Sequence, residues 1–385
     1  MKKLLLATLL ASACGMSYAQ SSVSVYGVLD QSYYGVNSSS GATQTQNGLN
    51  SSGTATSRFG LKGSEDLGGG LKAGFNLESQ VSLSSGAVGS SSTGATQATS
   101  GTSEVFNRAA NLSLSNNLGE LKVGRQATPV YDAVTKADAL GINSLGLINN
   151  FVAASTLFGT NAITGQNAGT NIGGASANGT IPNLYSNGVS YTTPTVGGVN
   201  ASLFTSPGSG NTTTTNTGAI RDGVVNFNGS GSLKGLNAVA GYGTTDSASG
   251  APAMSRSLIG ANYTWDKFKF SVAKVSLKFT NSVFGTVVGN NTDITNTGVK
   301  YQLTAPLSVG VSYTVAQDKI TAANKSSTTG VVANYDLSKR TALYAFAGQT
   351  VNSGASAMTP IYGSSAVGTA GVNNMGYAAG IRHAF

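Results

Sequence analysis

This chain has little of what catalysis or folding in water usually requires. Among its 385 residues there is one cysteine, one histidine and one tryptophan, and charged residues make up only 9%. Cys14 lies in an N-terminal segment expected to be removed, which leaves no thiol for a disulfide, a thiolate metal site or a nucleophile. The lone histidine, His383, is third from the C-terminus and on the outward parity of its segment, so it reads as an interfacial residue and not as a base or ligand. There is no Ser/His/Asp set and no metal cluster, and Leu67-Gly68-Gly69-Gly70 lacks the lysine of a phosphate loop and reads as a turn. The expectation is a non-enzyme without a cofactor. After Leu10 no apolar run approaches the roughly 20 residues of a spanning helix. With 52 glycines and few charges, the chain is too broken for helical spans and too uncharged for an ordinary soluble surface. The net charge of +8 is scattered singly and is not clustered with aromatics, which argues against nucleic acid as a partner.

What is present begins with an export signal. Met1-Lys2-Lys3 is basic, Leu4 to Leu10 is apolar, and Ser17-Tyr18-Ala19 offers small residues where a signal peptidase reads, so residues 1–19 are expected to be a signal peptide and 20–385 the mature domain. Cys14 after Ala11-Ser12-Ala13 is an alternative, as a lipid-attachment site.

The mature chain is patterned in twos. In Leu307-Ser308-Val309-Gly310-Val311-Ser312-Tyr313-Thr314-Val315 every odd position is apolar and every even one small or polar, the period of a tilted strand with one face in lipid and one in water. Residues 299–304 precede it across an Ala305-Pro306 turn. Similar pairs join 58–62 to 71–78, 111–115 to 121–125, 189–193 to 199–205, 224–228 to 236–242, 259–265 to 268–279 and 331–335 to 341–347. Segments 23–31 and 375–385 bring the count to about sixteen. Short turns alternate with long stretches rich in Ser, Thr, Gly and Asn (38–56, 84–103, 128–182, 206–218, 244–254, 282–293, 318–327 and 351–373). The expected fold is all-β: a transmembrane antiparallel barrel with short periplasmic turns and long extracellular loops, its first strand closing on its last. A secreted β-solenoid adhesin would need a short regular repeat, and none is found.

A barrel of this size encloses water. The loop 128–182 is the longest and carries Leu140, Ile142, Leu145, Leu147, Ile148, Phe151, Val152, Leu157 and Phe158, so it is expected to fold into the barrel and narrow it. Asp132 and Asp138 near its start are candidates to face basic wall residues Arg58, Lys62, Arg108 and Arg125. Parity turns Arg58 and Lys62 inward. It turns Arg108 and Arg125 outward, following Leu112, Leu114, Leu121 and Val123, unless a bulge or strand end intervenes, because a charge in mid-membrane lipid costs about 2–4 kcal/mol. Lys274 and Lys278, out of phase with Phe268-Lys269-Phe270, need a local irregularity for the same reason.

Several segments resemble the general porins of Gram-negative outer membranes, particularly the β-proteobacterial type. They are Ser22 to Asp30, Ser57-Arg58-Phe59-Gly60-Leu61-Lys62-Gly63-Ser64-Glu65-Asp66-Leu67-Gly68, Phe106-Asn107-Arg108, Gly124-Arg125-Gln126, Asn187 to Tyr191 and the terminal Gly380-Ile381-Arg382-His383-Ala384-Phe385. The resemblance implies a sixteen-stranded homotrimer whose third loop enters each pore, with arginines near Arg58, Arg108 and Arg125 at the constriction. It further implies a terminal Phe385, with Ile381 and Tyr377 on the same face, read by the barrel-assembly machinery. Ser190 stands where such proteins often carry a basic residue. The expected function is passive diffusion of ions and small hydrophilic solutes, weakly preferring anions, in contact with outer-membrane lipid and lipopolysaccharide. A substrate-specific channel with lumen aromatics such as Tyr26, Tyr344 and Phe346, and an outer-membrane adhesin, are the alternatives.

Overall fold

The computed structural model describes residues 22–38, 46–89, 105–141, 184–207, 219–246, 252–279, 291–361 and 370–385. The expected signal segment and residues 142–182 of the long loop lie outside the described residues. One antiparallel sheet is formed by β1 (Ser22–Ser38), β2 (Gln46–Ser51), β3 (Arg58–Gly68), β4 (Leu71–Gln80), β5 (Ala109–Asn116), β6 (Gly119–Ala127), β7 (Leu184–Thr192), β8 (Val199–Ser206) and β9 (Ile220–Asn228). It continues through β10 (Leu236–Asp246), β11 (Pro252–Trp265), β12 (Phe268–Phe279), β13 (Asn291–Gln302), β14 (Leu307–Asp318), β15 (Lys325–Asp336), β16 (Thr341–Ser353) and β17 (Asn374–Ala384). Strands β2 and β3 lie end to end against β1, opposite Gln31 to Val36 and Ser22 to Val28, so seventeen strands make a closed barrel of sixteen positions. Closure is β1 against β17, from Val28 opposite Ala384 to Ser38 opposite Asn374, and Gly27 and Phe385 exchange backbone hydrogen bonds of 3.1 Å.

Alternation builds the wall. On β14, Ser308, Ser312 and Thr314 are buried on the inner side, while Val311 and Tyr313 are exposed on the outer side that a bilayer would cover. The tight turn after β3 uses Gly68, Gly69 and Gly70 at φ +84°, +62° and +81°, which side-chain-bearing residues rarely adopt. Where the chain leaves the membrane both faces become polar and alternation no longer marks a strand. Consequently β2 lies within a stretch expected to be loop, and β13 and β15 begin at Asn291 and Lys325, earlier than the sequence pattern indicates.

The irregularity expected in β12 is absent. It pairs in unbroken register with β11 and β13, which puts Lys274 opposite outward Ile259 and Lys278 opposite Ser255. Both lysines therefore sit on the outer face. Lys274 is compensated by Asp293, Nζ to Oδ2 at 2.9 Å, and Ser276 donates to the same carboxylate at 2.7 Å.

Between β2 and β3 the ladder is interrupted, and residues 52–57 fold over Asp30, which has 0% exposure. Its carboxylate accepts the backbone N–H groups of Gly53, Thr54 and Ala55 and the hydroxyls of Thr54 and Tyr344. A carboxylate with this many donors can remain buried at low cost.

Inside the barrel lies helix α1 (Pro129–Ala137), which starts as the chain leaves β6. Thr128 caps it by accepting from Tyr131 N–H, Pro129 suits the first turn, and Asp132 and Lys136 complement the two ends of the dipole. Val130, Ala133, Val134 and Ala137, spaced for one helical face, pack on Val224, Leu258, Ala273, Val275 and Ile294 of the inner wall. The close approach depends on glycine. A Cβ at Gly260 would stand 3.0 Å from Ala137 Cβ, and beyond the helix one at Gly298 would stand 2.6 Å from Ala139 Cβ and one at Gly310 2.8 Å from Leu140 Cδ2.

A second segment turns inward after β16. Met358 and Ile361 are buried in the same clusters, with Pro360 against Gly348 and Gly376. Asn352 and Asn374 hold it by donating to the Met358 carbonyl, each at 2.9 Å. Residues 351–373 are expected from their polar composition to be an external loop; the apolar set Ala357, Met358, Pro360 and Ile361 is what turns the described part, up to Ile361, inward.

Candidate functional site

Among the described residues, an opening lies beside α1 against the inner faces of β3 to β6, with β1 and β7 to β9 contributing at its margin. Its volume is about 960 Å³. Charged residues around it are Arg58, Lys62, Lys72, Arg108, Lys122 and Lys136 against Glu78, Glu120, Asp132 and Asp138. Strand alternation places four of the ten, Lys62, Lys72, Glu78 and Lys122, at inward positions on β3, β4 and β6.

Glu78 organises the centre of the wall. Arg108 Nε lies 2.6 Å from Glu78 Oε1 and Arg58 Nε 3.4 Å from Oε2. Arg58 is further fixed by donating from Nη1 to the Thr56 carbonyl at 2.9 Å. Tyr26 donates to Glu78 and Asn76 at 2.9 and 2.8 Å, and Lys62 Nζ sits 5.0 Å from the centre of the Tyr26 ring. One carboxylate thus holds two guanidiniums and a phenol at the surface of the opening, and the pairing orients the arginines while leaving a positive excess.

Arg108 reaches the opening because it precedes β5, where the parity of the strand does not yet apply. Arg125 differs. Its Nε donates to the Asn107 carbonyl at 2.6 Å, and it is not among the residues bounding the opening. The β6–β7 register shifts by one residue beside it, between Gly124 and Gln126. Arg125 ties the segment that carries Arg108 to β6. Ser190 bounds the opening and donates to Gln126 at 2.7 Å.

Asp132 projects from α1 into the opening. Crowding by the surrounding wall pushes its carboxyl above the usual range, against the opposing pull of Lys136, Lys122 and Arg108. Asp138 bounds the opening too, but is buried and used at the helix end, where Oδ1 accepts from Leu140 N–H at 2.9 Å and Gly141 N–H at 3.1 Å. Of the six residues expected at the narrow point, five border one space and Arg125 does not.

Two further residues set the helix in place. Asp222 on β9 and Arg256 on β11 form an ion pair with both side chains at 0% exposure, and Arg256 also donates to Thr245 at 2.8 Å. The Thr128 hydroxyl and the Val130 backbone N–H face the Asp222 carboxylate, so a buried anion lies under the positive end of the helix. At the other end Asn296 accepts from Ala139 N–H at 3.1 Å. This pair has no signature in the sequence, since Asp222 and Arg256 stand 34 positions apart and neither lies in a motif. Tyr344 and Phe346 are buried on the inner wall next to the second inward segment and form no track along the opening. At the C-terminus Tyr377, Ile381 and Phe385 are 48%, 47% and 44% exposed on the outer side, and His383 Nδ1 lies 2.9 Å from Thr341 Oγ1.

Comparison with known proteins follows the same direction. The family model described as Gram-negative porin matches residues 6–355. Outer membrane porin protein 32 of Delftia acidovorans is 33% identical over 398 residues, covering 100% of both chains. Among solved structures, the anion-selective porin from Comamonas acidovorans aligns with a TM-score of 0.75 at 27% identity, over 95% of this chain and 100% of that one. OmpT of Vibrio cholerae in its trimer form aligns at 0.61 with 15% identity, over 95% of this chain and 99% of that one, a likeness of fold.

Proposed function

The chain belongs to the Gram-negative porin family, and on that premise we propose that it is an outer-membrane diffusion channel whose weak anion preference arises between the β3–β6 wall and α1. The observation that carries this reading is the imbalance of charge around the opening: six basic against four acidic side chains. Rings or ladders of Arg and Lys favour anions. Here Arg58, Lys62 and Arg108 form the basic side and Asp132 the acidic side, with Asp138 contributing through the helix end and Arg125 acting as a positioning residue for Arg108. The excess is small and two of the cations are held by Glu78, so the preference is weak and the pore passes both signs of ion. Residues 128–141 act as the near part of the constriction loop. The trimer form among the fold relatives supports three such pores per assembly. Reconstitution in planar bilayers under a salt gradient tests the reading. Stepwise conductance with a reversal potential of anion sign is expected, and a potential of cation sign would overturn the selectivity.

A further inference from the structure

We propose that Tyr344 and Asp30 form a latch across the seam where the last strand meets the first, set after the strands have paired and holding the barrel shut. Tyr344 on β16 lies directly across from Gly380 on β17, which lies directly across from Ser32 on β1. The phenol nonetheless ends on β1. Its Oη donates to Asp30 Oδ1 at 2.5 Å, and the Ser32 hydroxyl faces the same phenol oxygen. The contact spans two strand spacings, about 10 Å, and so passes over β17. Two glycines clear the way: a Cβ at Gly380 or at Gly53 would collide with the Tyr344 hydroxyl. Tyr344 and Asp30 are both buried, so water cannot take the place of either partner when the bond is lost.

The donors to Asp30 fall into two classes by their distance along the chain. Gly53, Thr54 and Ala55 stand 23, 24 and 25 positions away, so their four hydrogen bonds form within the N-terminal part and need no closure. Tyr344 stands 314 positions away and reaches the carboxylate only once β17 lies between β16 and β1. A long-range contact bears the cost of loop closure before it contributes, so this donor arrives last. The N-terminal knot is then a prepared socket, and the fifth hydrogen bond is made only when the two ends of the chain have met. The backbone ladder of the seam, from Val28 opposite Ala384 to Ser38 opposite Asn374, can fray one pair at a time from either end. The latch crosses at the Ser32–Gly380 pair, inside that ladder, and stops fraying from running through.

Hydrogen–deuterium exchange of the detergent-solubilised protein, read by mass spectrometry, tests the latch. Tyr344→Phe keeps the ring in the wall and removes only the hydroxyl. Amides of residues 28–38 and 374–384 should then exchange about tenfold faster than in the parent, the share of one hydrogen bond to a charged group, while those of β10 and β11 keep their protection. Unfolding, followed by heat-modifiable gel mobility, should quicken by a similar factor with the refolding rate from urea unchanged, as for a contact made after the transition state. Exchange raised equally over the whole barrel would reduce the pair to ordinary packing and overturn the latch, as would an unaltered seam. Slowed refolding would overturn its place as the last contact. A cross-link keeps the question decidable where the variant folds poorly. Tyr33→Cys/Ala379→Cys joins opposite positions of β1 and β17 in a mature chain expected to hold no other cysteine. Its oxidation in the Tyr344→Phe background should restore the parent's seam protection, and failure to restore it would place the defect away from the seam and overturn the proposal.

Discussion

Along β3 and β6 the inner wall carries Arg58, Lys62 and Lys122 at the edge of open water, whereas along β10 to β14 it carries Gly241, Gly260, Gly298 and Gly310 under a helix and its continuation. Both halves belong to one sheet with one alternation. They differ in what the inward positions do: one half borders the opening, and the other supports the helix that stands across from it. The charged half can vary side chain by side chain, because long side chains in water relax. The glycine half cannot, because its partner is already in van der Waals contact.

That contrast is broken most severely at the buried pair. Arg256→Met leaves Asp222 charged and enclosed beneath the helix, and about 3–5 kcal/mol of stability should be lost. Heat-modifiability on gels should shift to lower temperature and open-channel current noise should rise. Next in size is Gly260→Val. Its Cβ would stand 3.0 Å from Ala137, and overpacking of about 1–3 kcal/mol should displace α1 into the opening and reduce single-channel conductance. The same substitution in spirit on the charged half, Lys62→Val, should leave conductance noise unchanged.

The charged half is sharpened by exchanging sign. Arg108→Glu turns the excess of six cations over four acids into a balance of five and five, and releases Glu78 from its 2.6 Å partner. One charge at a few ångströms in water is worth about 1 kcal/mol, so the anion-to-cation permeability ratio should fall roughly fivefold or more in reversal-potential measurements. The smallest effect is expected from Asp132. Because its carboxyl titrates above the ordinary range, acidification neutralises it early, the positive excess grows, and anion preference should rise as pH falls. Asp132→Asn should show that higher preference at neutral pH and lose this part of the pH dependence.

How far the sequence foretold these halves depended on lipid. Where one face meets hydrocarbon, as on β14 and β17, alternation is strict and strands are legible to within a few residues. Above the membrane it fades, and β2 and the outer ends of β13 and β15 are read as loop. Lys274 and Lys278 mislead in the opposite sense: a rule for mid-membrane charge is applied to residues that lie toward the rim. At the site, Arg58, Lys62, Lys72 and Glu78 follow from parity alone. Arg108 comes from family resemblance, because it stands just before its strand. The helix face Val130, Ala133, Val134 and Ala137 has helical spacing but no visible partner in sequence, since the glycines that receive it look like any others in a chain with 52 of them. The pair Asp222 and Arg256 has no local signature at all.

The knot around Asp30 has a reach beyond sealing the break between β2 and β3. Five donors pin residues 53–55 and Tyr344 to one carboxylate, and the next carbonyl along, that of Thr56, is the one that steadies the Arg58 guanidinium. A group buried behind the wall therefore helps aim one that borders the opening. The set of the Arg58 guanidinium is thus inherited from an anion hidden in the masonry, and softening that anchor would loosen it without altering a single residue that borders the opening.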